Sequence, residues 1–288
     1  KKELDKRVNK IIEDQDILID SNSKIVWKNH PIAKLKKGHS YLNPDIEIIA
    51  DESIELESKI KLEEFLKKWL NNYINEILGD LIGLTKQKTE NQYLRALVFQ
   101  LYEKNGVIKR SEIDNIVKLI PVSERKKLWG MGIKIGRYHV YLPKMLKPKA
   151  VEFRVSLWKI FYNLEDSHKI PKFGLNFIIN KNYEKNFLLL CGFEKFKEYF
   201  VRIDILEKLF IKILDNTKNR KFKINADMMN LLGCTKENFY KLMDYMNYKK
   251  EKTIDTYMFK GEKKKINKLI KFDKKENPFK KLLSLNIK

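Results

Sequence analysis

Residues 130–149 read GMGIKIGRYHVYLPKMLKPK, and the reading of this stretch decides the fold. Ile133, Ile135, Val140 and Leu142 are apolar, with Lys134, Arg137, His139 and Tyr141 set among them. Near-alternation marks strands with one buried face, and Gly136 permits a tight reversal, so the spacing predicts a β-hairpin over 133–142. Pro143 and Pro148 punctuate the exit. Pro148 suits the first turn of a following helix, where its missing N–H leaves no bond unmade.

Working upstream, Leu94, Leu97, Val98, Leu101 and Tyr102 mark a helix from Tyr93, ended by Asn105-Gly106. Ser111 with Asp114 reads as an N-cap opening a second helix through Ile120. Pro121 breaks it, and Ser123 opens a third short helix to Trp129. Three helices followed by a hairpin is the order of a winged-helix module, with the hairpin as the wing.

Working downstream, Val151, Val155, Trp158, Ile160 and Phe161 make 148–164 an amphipathic packing helix. Residues 168–174, with Pro171 and Gly174, form a boundary, and 175–196 is apolar without a decisive period. A second module is expected after it: a helix at 201–214, a strand at 222–224, and a helix at 226–232 ended at Gly233. Thr235 with Asn238 opens the next helix, and 249–259 is a second wing closed by Lys260-Gly261. Residues 263–288 are a basic tail.

Before the first module, 1–14 reads as a short helix, and the acids of 13–16 as a solvated turn. Small strands at 17–19 and 24–27 flank a turn at 20–23. His30-Pro31 and Gly38-His39 are placed in loops. Residues 55–79 give the clearest helical stripe, with Gly79 as its end. The polar 85–92 is the first boundary. The expected organisation is therefore a mixed region 1–91, a winged-helix-like module with its packing helix at 92–167, a second such module at 175–262, and the tail. The fold class is mostly α, of the α+β kind, with short hairpins and one or two winged-helix-like modules.

The chain has 288 residues and a formal net charge of +22. An AT-rich genome enriches lysine by itself, so the distribution carries more than the total. Residues 1–91 hold 16 Lys/Arg against 17 Asp/Glu, whereas 104–160 hold 14 against 4 and 249–288 hold 14 against 5. Uniform codon bias would not leave the first third neutral. The segregation points to a polyanion-facing side, and nucleic acid is the commonest such partner.

The apolar runs are too short to span a bilayer, and 1–10 is charged with no apolar segment behind it, so neither a membrane partner nor a secretory leader is expected. Cys191 and Cys234 match no metal spacing and read as reduced thiols of a cytoplasmic protein. A lysine at position 1 fits a piece of a longer product. No G-x-x-x-x-G-K-[ST] loop, H-E-x-x-H, G-x-S-x-G or zinc ribbon occurs. The glycines of 130–136 follow a helix and precede strands, the wrong order for dinucleotide binding. ADES at 50–53 lacks the last residues of a DExH box. No catalytic residue, metal or cofactor is assigned to this chain.

Binding chemistry remains. Lys134, Arg137, Tyr138, Lys144, Lys147 and Lys149 surround the first hairpin. Lys236, Tyr240 and Lys241 lie on the helix opened by Thr235, and Lys249, Lys250 and Lys252 on the second wing. Lysine and arginine neutralise phosphates, and tyrosine stacks on unpaired bases. His139 can contact phosphate or base, or make a structural hydrogen bond. One ring of Tyr138 and Tyr141 is expected to face the core. Arginine is scarce, which disfavours bidentate base reading, so sequence-tolerant backbone contacts to single strands are expected.

The pattern G-x-x-x-G-R-Y-H-V-Y-L-P-x-x-L-K-P from Gly132, followed by Leu157-Trp158, resembles the C-terminal region of alphaproteobacterial helicase-like proteins. These are relatives of the mitochondrial degradosome DExH RNA helicase of superfamily 2. The resemblance recurs at IVWKNHPIAKL (25–35), ALVFQLYEKNGVIKR (96–110), VRIDILEKL (201–209) and MMNLLGC (228–234). It implies an accessory region that holds or guides RNA or DNA beside helicase motor domains in cis. ATP and Mg would belong to those absent motor domains. The alternative is a protein-interaction module that docks a helicase or ribosome-associated partner, its basic surface being incidental.

Overall fold

A computed structural model describes residues 2–14, 16–20, 22–49, 56–86, 89–164, 168–180, 183–251 and 255–259. Helix α1 (Lys2–Asp14) precedes an antiparallel meander of β1 (Ile17–Ile19), β2 (Lys24–Trp27), β3 (His30–Ser40) and β4 (Asn43–Ile48). Ala33 and Leu35 of β3 are buried between exposed Lys34 and Lys36, the period of two that gives a sheet one wet face. His30-Pro31 and Gly38-His39 therefore lie within a strand, not in loops.

Helix α2 (Leu56–Lys86) buries Leu62, Leu66, Leu70, Ile74, Leu78, Leu81 and Leu84 along one stripe. It runs past Gly79, the expected end, because only Leu78 leaves helical geometry (φ −110°, ψ 15°) and the stripe resumes beyond it. One apolar core runs from Val8 through α2 to Leu157, so the 85–92 boundary separates sequence regions that share a core.

Beyond it stand three successive units. The first comprises α3 (Gln92–Glu103), β5 (Val107–Lys109), α4 (Arg110–Leu119), α5 (Val122–Gly130), β6 (Lys134–Ile135) and β7 (His139–Tyr141). Asn91 caps α3 by accepting from the Tyr93 and Leu94 N–H groups. Ser111 is not the cap of α4: β5 runs straight into it, and Lys109 takes that position. A 3-10 turn (Pro143–Leu146) leads to the second unit: α6 (Pro148–Tyr162), β8 (Phe177–Ile179), α7 (Lys185–Leu190), β9 (Phe193–Phe196) and β10 (Tyr199–Arg202). The third comprises α8 (Ile203–Asp215), β11 (Thr217–Lys218), β12 (Lys221–Lys223), α9 (Ala226–Leu232), α10 (Lys236–Tyr245), β13 (Tyr248–Lys250) and β14 (Thr256–Phe259). Gly233 (φ +68°) ends α9 and the Thr235 hydroxyl caps α10, both where the sequence places them.

The units share a sheet order in which the last strand lies between the first and the second: β5-β7-β6, β8-β10-β9 and β12-β14-β13, with β11 added at the edge of the third. Their registers correspond, with Ile108 opposite Val140, Ile178 opposite Phe200 and Phe222 opposite Tyr257. The chain is thus α+β, its sheets small and antiparallel.

Arg154 of α6 is wholly buried. It donates to the carbonyls of Asn105 (2.7 Å), Met145 (2.5 Å) and Leu190 (3.1 Å). These close the ends of α3, the 3-10 turn and α7, whose carbonyl dipoles suit a cation. Tyr41 donates to the Arg154 carbonyl (2.6 Å) and ties the N-terminal sheet to the same point.

Candidate nucleic-acid interface

The first hairpin is closed onto the third unit by one carboxylate. Glu207 of α8, 7 % exposed, accepts from the N–H groups of Arg137 (2.6 Å), Tyr138 (2.9 Å) and His139 (2.9 Å). Gly136 is required for this seat rather than for its own backbone angles. A Cβ there would lie 2.2 Å from the Glu207 carboxyl carbon, so any side chain would push the carboxylate off its donors.

His139 belongs to the same joint, not to a nucleic-acid surface. It is 1 % exposed, its Nε2 is 2.8 Å from Glu194 of β9, and its Nδ1 is 3.7 Å from Glu207. Lys109 of β5 pairs with the other Glu194 oxygen. Two carboxylates therefore meet one lysine and one imidazole at the junction of all three units. Burial pulls the His139 pKa down, but the hydrogen bond to Glu194 and the nearby charges of Glu194 and Glu207 outweigh it and hold it above the ordinary imidazole value. For Glu194, burial pushes up, while His139 and Lys109 win and hold it below the carboxylate range.

Tyr138 also turns inward, edge-on to Phe210 with centroids 5.8 Å apart, and its hydroxyl faces Tyr248. Burial raises its pKa, so the phenol stays neutral at ordinary pH. Tyr141 is buried as well, so the expectation that one of the two rings faces the core understates the burial.

What the hairpin leaves outside is a groove of about 1030 Å³ between β6, the Gly136 turn, the 3-10 turn and α8. Lys134, Arg137, Lys147 and Lys208 stand on it, all exposed. The Arg137 guanidinium lies 5.8 Å from the Phe210 ring centroid, which fixes its direction. Trp129, at the end of α5, offers an indole that is 76 % exposed. Ile211 and Leu214 complete an apolar wall, each more than half exposed. Arg202 also lines the groove but is held by Asp204 (2.7 and 3.0 Å).

The other expected contacts are dispersed. Lys144 pairs with Asp80 (2.8 Å), and Lys149 is exposed in the first turn of α6. In the third unit Lys236 pairs with Asp255 (3.2 Å) and Lys241 with Glu237 (2.7 Å). The Tyr240 hydroxyl bonds Asp255, and Lys236 and Lys250 lie 5.5 and 5.2 Å from its ring centroid. Lys249 and Lys250 are exposed; Lys252 lies outside the described residues.

Sequence reasoning missed Trp129, Glu207, Lys208 and Phe210. A signal for Glu207 exists: it sits between Ile203, Leu206 and Phe210 on the apolar stripe of α8, where an unpaired acid would be costly. Among the described residues no three His, Cys, Asp or Glu side chains gather to hold a metal ion, and no helix is long and apolar enough to cross a membrane. Comparison of the chain with protein-family models, with curated proteins and with solved structures finds no match.

Proposed function

We propose that the groove between the first hairpin and α8 holds a single strand of nucleic acid by its phosphates, in a sequence-tolerant way. The observation that carries this is the pairing of four exposed cations with an open indole along one concave wall. Lys134, Arg137, Lys147 and Lys208 neutralise successive phosphates, and Trp129 stacks on an unpaired base. Cations on low-dielectric walls also focus the field along the groove, which speeds encounter with a polyanion.

The first and third units carry the helix, strand, helix, helix, hairpin order of winged-helix modules, and their sheet order supports that reading. Winged helices commonly dock through the third helix and the wing. In the first unit those are α5 and the hairpin, and both border the groove. With the resemblance to degradosome-type helicases, the chain is read as an accessory C-terminal region that guides RNA or DNA for motor domains in cis. ATP and Mg then act on those domains.

One observation favours the second reading. Ile211 and Leu214 are aliphatic and cannot stack on bases, yet they suit the apolar face of a partner helix. Fluorescence anisotropy with labelled single strands of several sequences separates the two. Three or four phosphate contacts give a log–log salt slope of about −2 to −3 with little sequence preference. A flat salt response overturns the nucleic-acid reading in favour of a protein partner.

A further inference from the structure

The groove at α8 and the joint behind it share a wall. Gly136, Arg137 and Glu207 all line the groove, and the Glu207 carboxylate is the one that takes the N–H groups of Arg137, Tyr138 and His139. One side of the groove, with Lys134 and Arg137, belongs to the first unit; the other, with Lys208, belongs to α8 of the third. The seat of the turn on Glu207 therefore helps to set how far apart those side chains stand. His139 lies behind that seat, 1 % exposed, with its Nδ1 3.7 Å from the same carboxylate.

A neutral imidazole has one N–H and one lone pair, and here each ring nitrogen faces an acid. Nε2 lies 2.8 Å from Glu194, and Nδ1 makes no hydrogen bond. Either neutral tautomer turns a lone pair toward a carboxylate, whereas the imidazolium offers a proton to both. The charges packed around the ring agree with this. Lys109 of β5 pairs with Glu194 of β9. Arg110, at the start of α4, is held by Asp114 and by the Gly136 carbonyl, and Asp204, at the start of α8, is held by Arg202. Arg137 rests its guanidinium against the Phe210 ring. Burial keeps the Tyr138 and Tyr141 phenols neutral, the latter pushed up to about 12. Within the buried set of Lys109, Glu194 and Glu207, the imidazolium brings the sum of charges to zero. Its proton lost, one net negative charge stays buried and the turn seats less firmly.

We infer that strand binding in the groove and proton binding at His139 are coupled, so that the joint tunes the affinity of the groove with pH. This rests on the reading proposed for the groove. A strand brings phosphates against the outer side of Glu207, and the added negative charge favours the imidazolium behind it. By reciprocity the imidazolium favours the strand. The bound state then holds the proton to higher pH than the free state does. Affinity is therefore highest below the free-state titration and falls as pH rises through it. His139 is a positioning residue here, since it reaches the strand through Glu207.

Calorimetry of the whole chain with unphosphorylated oligodeoxythymidylate, in buffers of different ionisation enthalpy, reads the protons exchanged. Wild type should take up a fraction of a proton per strand near neutral pH. Its affinity should fall about five- to tenfold between about pH 6 and about pH 8.5. His139→Gln should bind the strand without uptake and with a flat profile over that range, His30, His39 and His168 being retained. Should that variant not fold, the His139 ring protons of wild type report the same linkage by NMR, because their titration midpoint should rise when the strand is bound. Binding without proton uptake, uptake that persists in His139→Gln, or an unmoved His139 midpoint overturns the inference. Absence of binding heat at every pH defeats the groove reading itself, and this coupling with it.

Discussion

The hairpins of the first and third units occupy the same place in the same sheet order, yet their described residues are held in different ways. In the first, three consecutive N–H groups are taken by Glu207, and His139 is sealed between two carboxylates. In the third, the strands end on exposed Lys249 and Lys250, and Asp255 turns back to Lys236 and Tyr240 on its own unit. The turn of the first hairpin is a joint between units; the third hairpin brings Tyr248 to the Tyr138 hydroxyl and keeps the Asp255 carboxylate within its own unit. Basic charge at a wing therefore does not by itself make the wing a contact surface. The first hairpin serves a polyanion through the wall it presents, while its tip serves the fold.

The largest effect should come from removing the carboxylate at the joint. Glu207→Ala leaves three N–H groups, that of His139 buried, without their acceptor and strips His139 of one of its two acids. Breaking such a buried charge pair costs about 3–5 kcal/mol, read as a lowered urea midpoint. Gly136→Ala should move the same way, because its Cβ would occupy the carboxylate's place. Asp255→Ala, the acid of the third unit's hairpin, should barely move the midpoint. Equal losses at Glu207 and Asp255 would break the contrast.

The joint should also impose a pH window whose alkaline limb is set by His139. The folded pKa of His139 lies above its unfolded value, so its stabilisation is full below about pH 6.5 and is lost as pH rises through the folded value. Glu194 is held low, so its stabilisation is present above its unfolded pKa and is lost as pH falls through the folded one. The cluster therefore supports the fold between two limbs. Urea midpoints followed from acid to alkaline pH should show His139→Gln removing the alkaline limb while the acid limb persists. A variant whose profile simply runs parallel to wild type would show the imidazole to be a neutral spacer.

These contrasts explain why the sequence was legible in some places and not in others. Local signals worked where one residue does the job alone: Thr235 as a cap and Gly233 in the left-handed region; in the first hairpin the strands form, but His139 and Tyr141, set as the polar positions of the alternation, are buried. They failed where the neighbouring element decides. Ser111 resembles a cap, but β5 feeds α4 directly, and Gly79 resembles an end, but α2 still has Leu81 and Leu84 to bury. Beyond α6 the second unit was unreadable because 187, 188, 190 and 199–201 are buried with no polar alternation, which leaves strand and helix alike in pattern. The joint was invisible for another reason. His139 and Glu207 are 68 residues apart, and nothing local in either segment names the other.

Among binding effects, the groove wall should dominate. Lys134→Ala/Arg137→Ala removes two of its four exposed cations, which should cost about 1–3 kcal/mol of single-strand affinity and flatten the salt slope by roughly 1–2. The Arg137 N–H that meets Glu207 belongs to the backbone and survives the substitution, so the urea midpoint should move little. Normal affinity in a folded variant would strip the first hairpin of any binding role.

The smallest effect should come from Lys249→Ala/Lys250→Ala on the third hairpin, and it is the sharpest test of the contrast because both hairpins carry basic side chains. Lys250 lies 5.2 Å from the Tyr240 ring centroid, and that ring is shared with Lys236 and anchored through its hydroxyl to Asp255. A tyrosine engaged on its edge and flanked by two ammonium groups has little open face for a base. The lysines themselves stand exposed on a strand, so they act through screened, long-range attraction. Their loss should change affinity by no more than about threefold at low salt and not measurably at high salt. If instead this pair outweighs Lys134 and Arg137, the roles reverse: the third hairpin is the reader, and the first is purely structural.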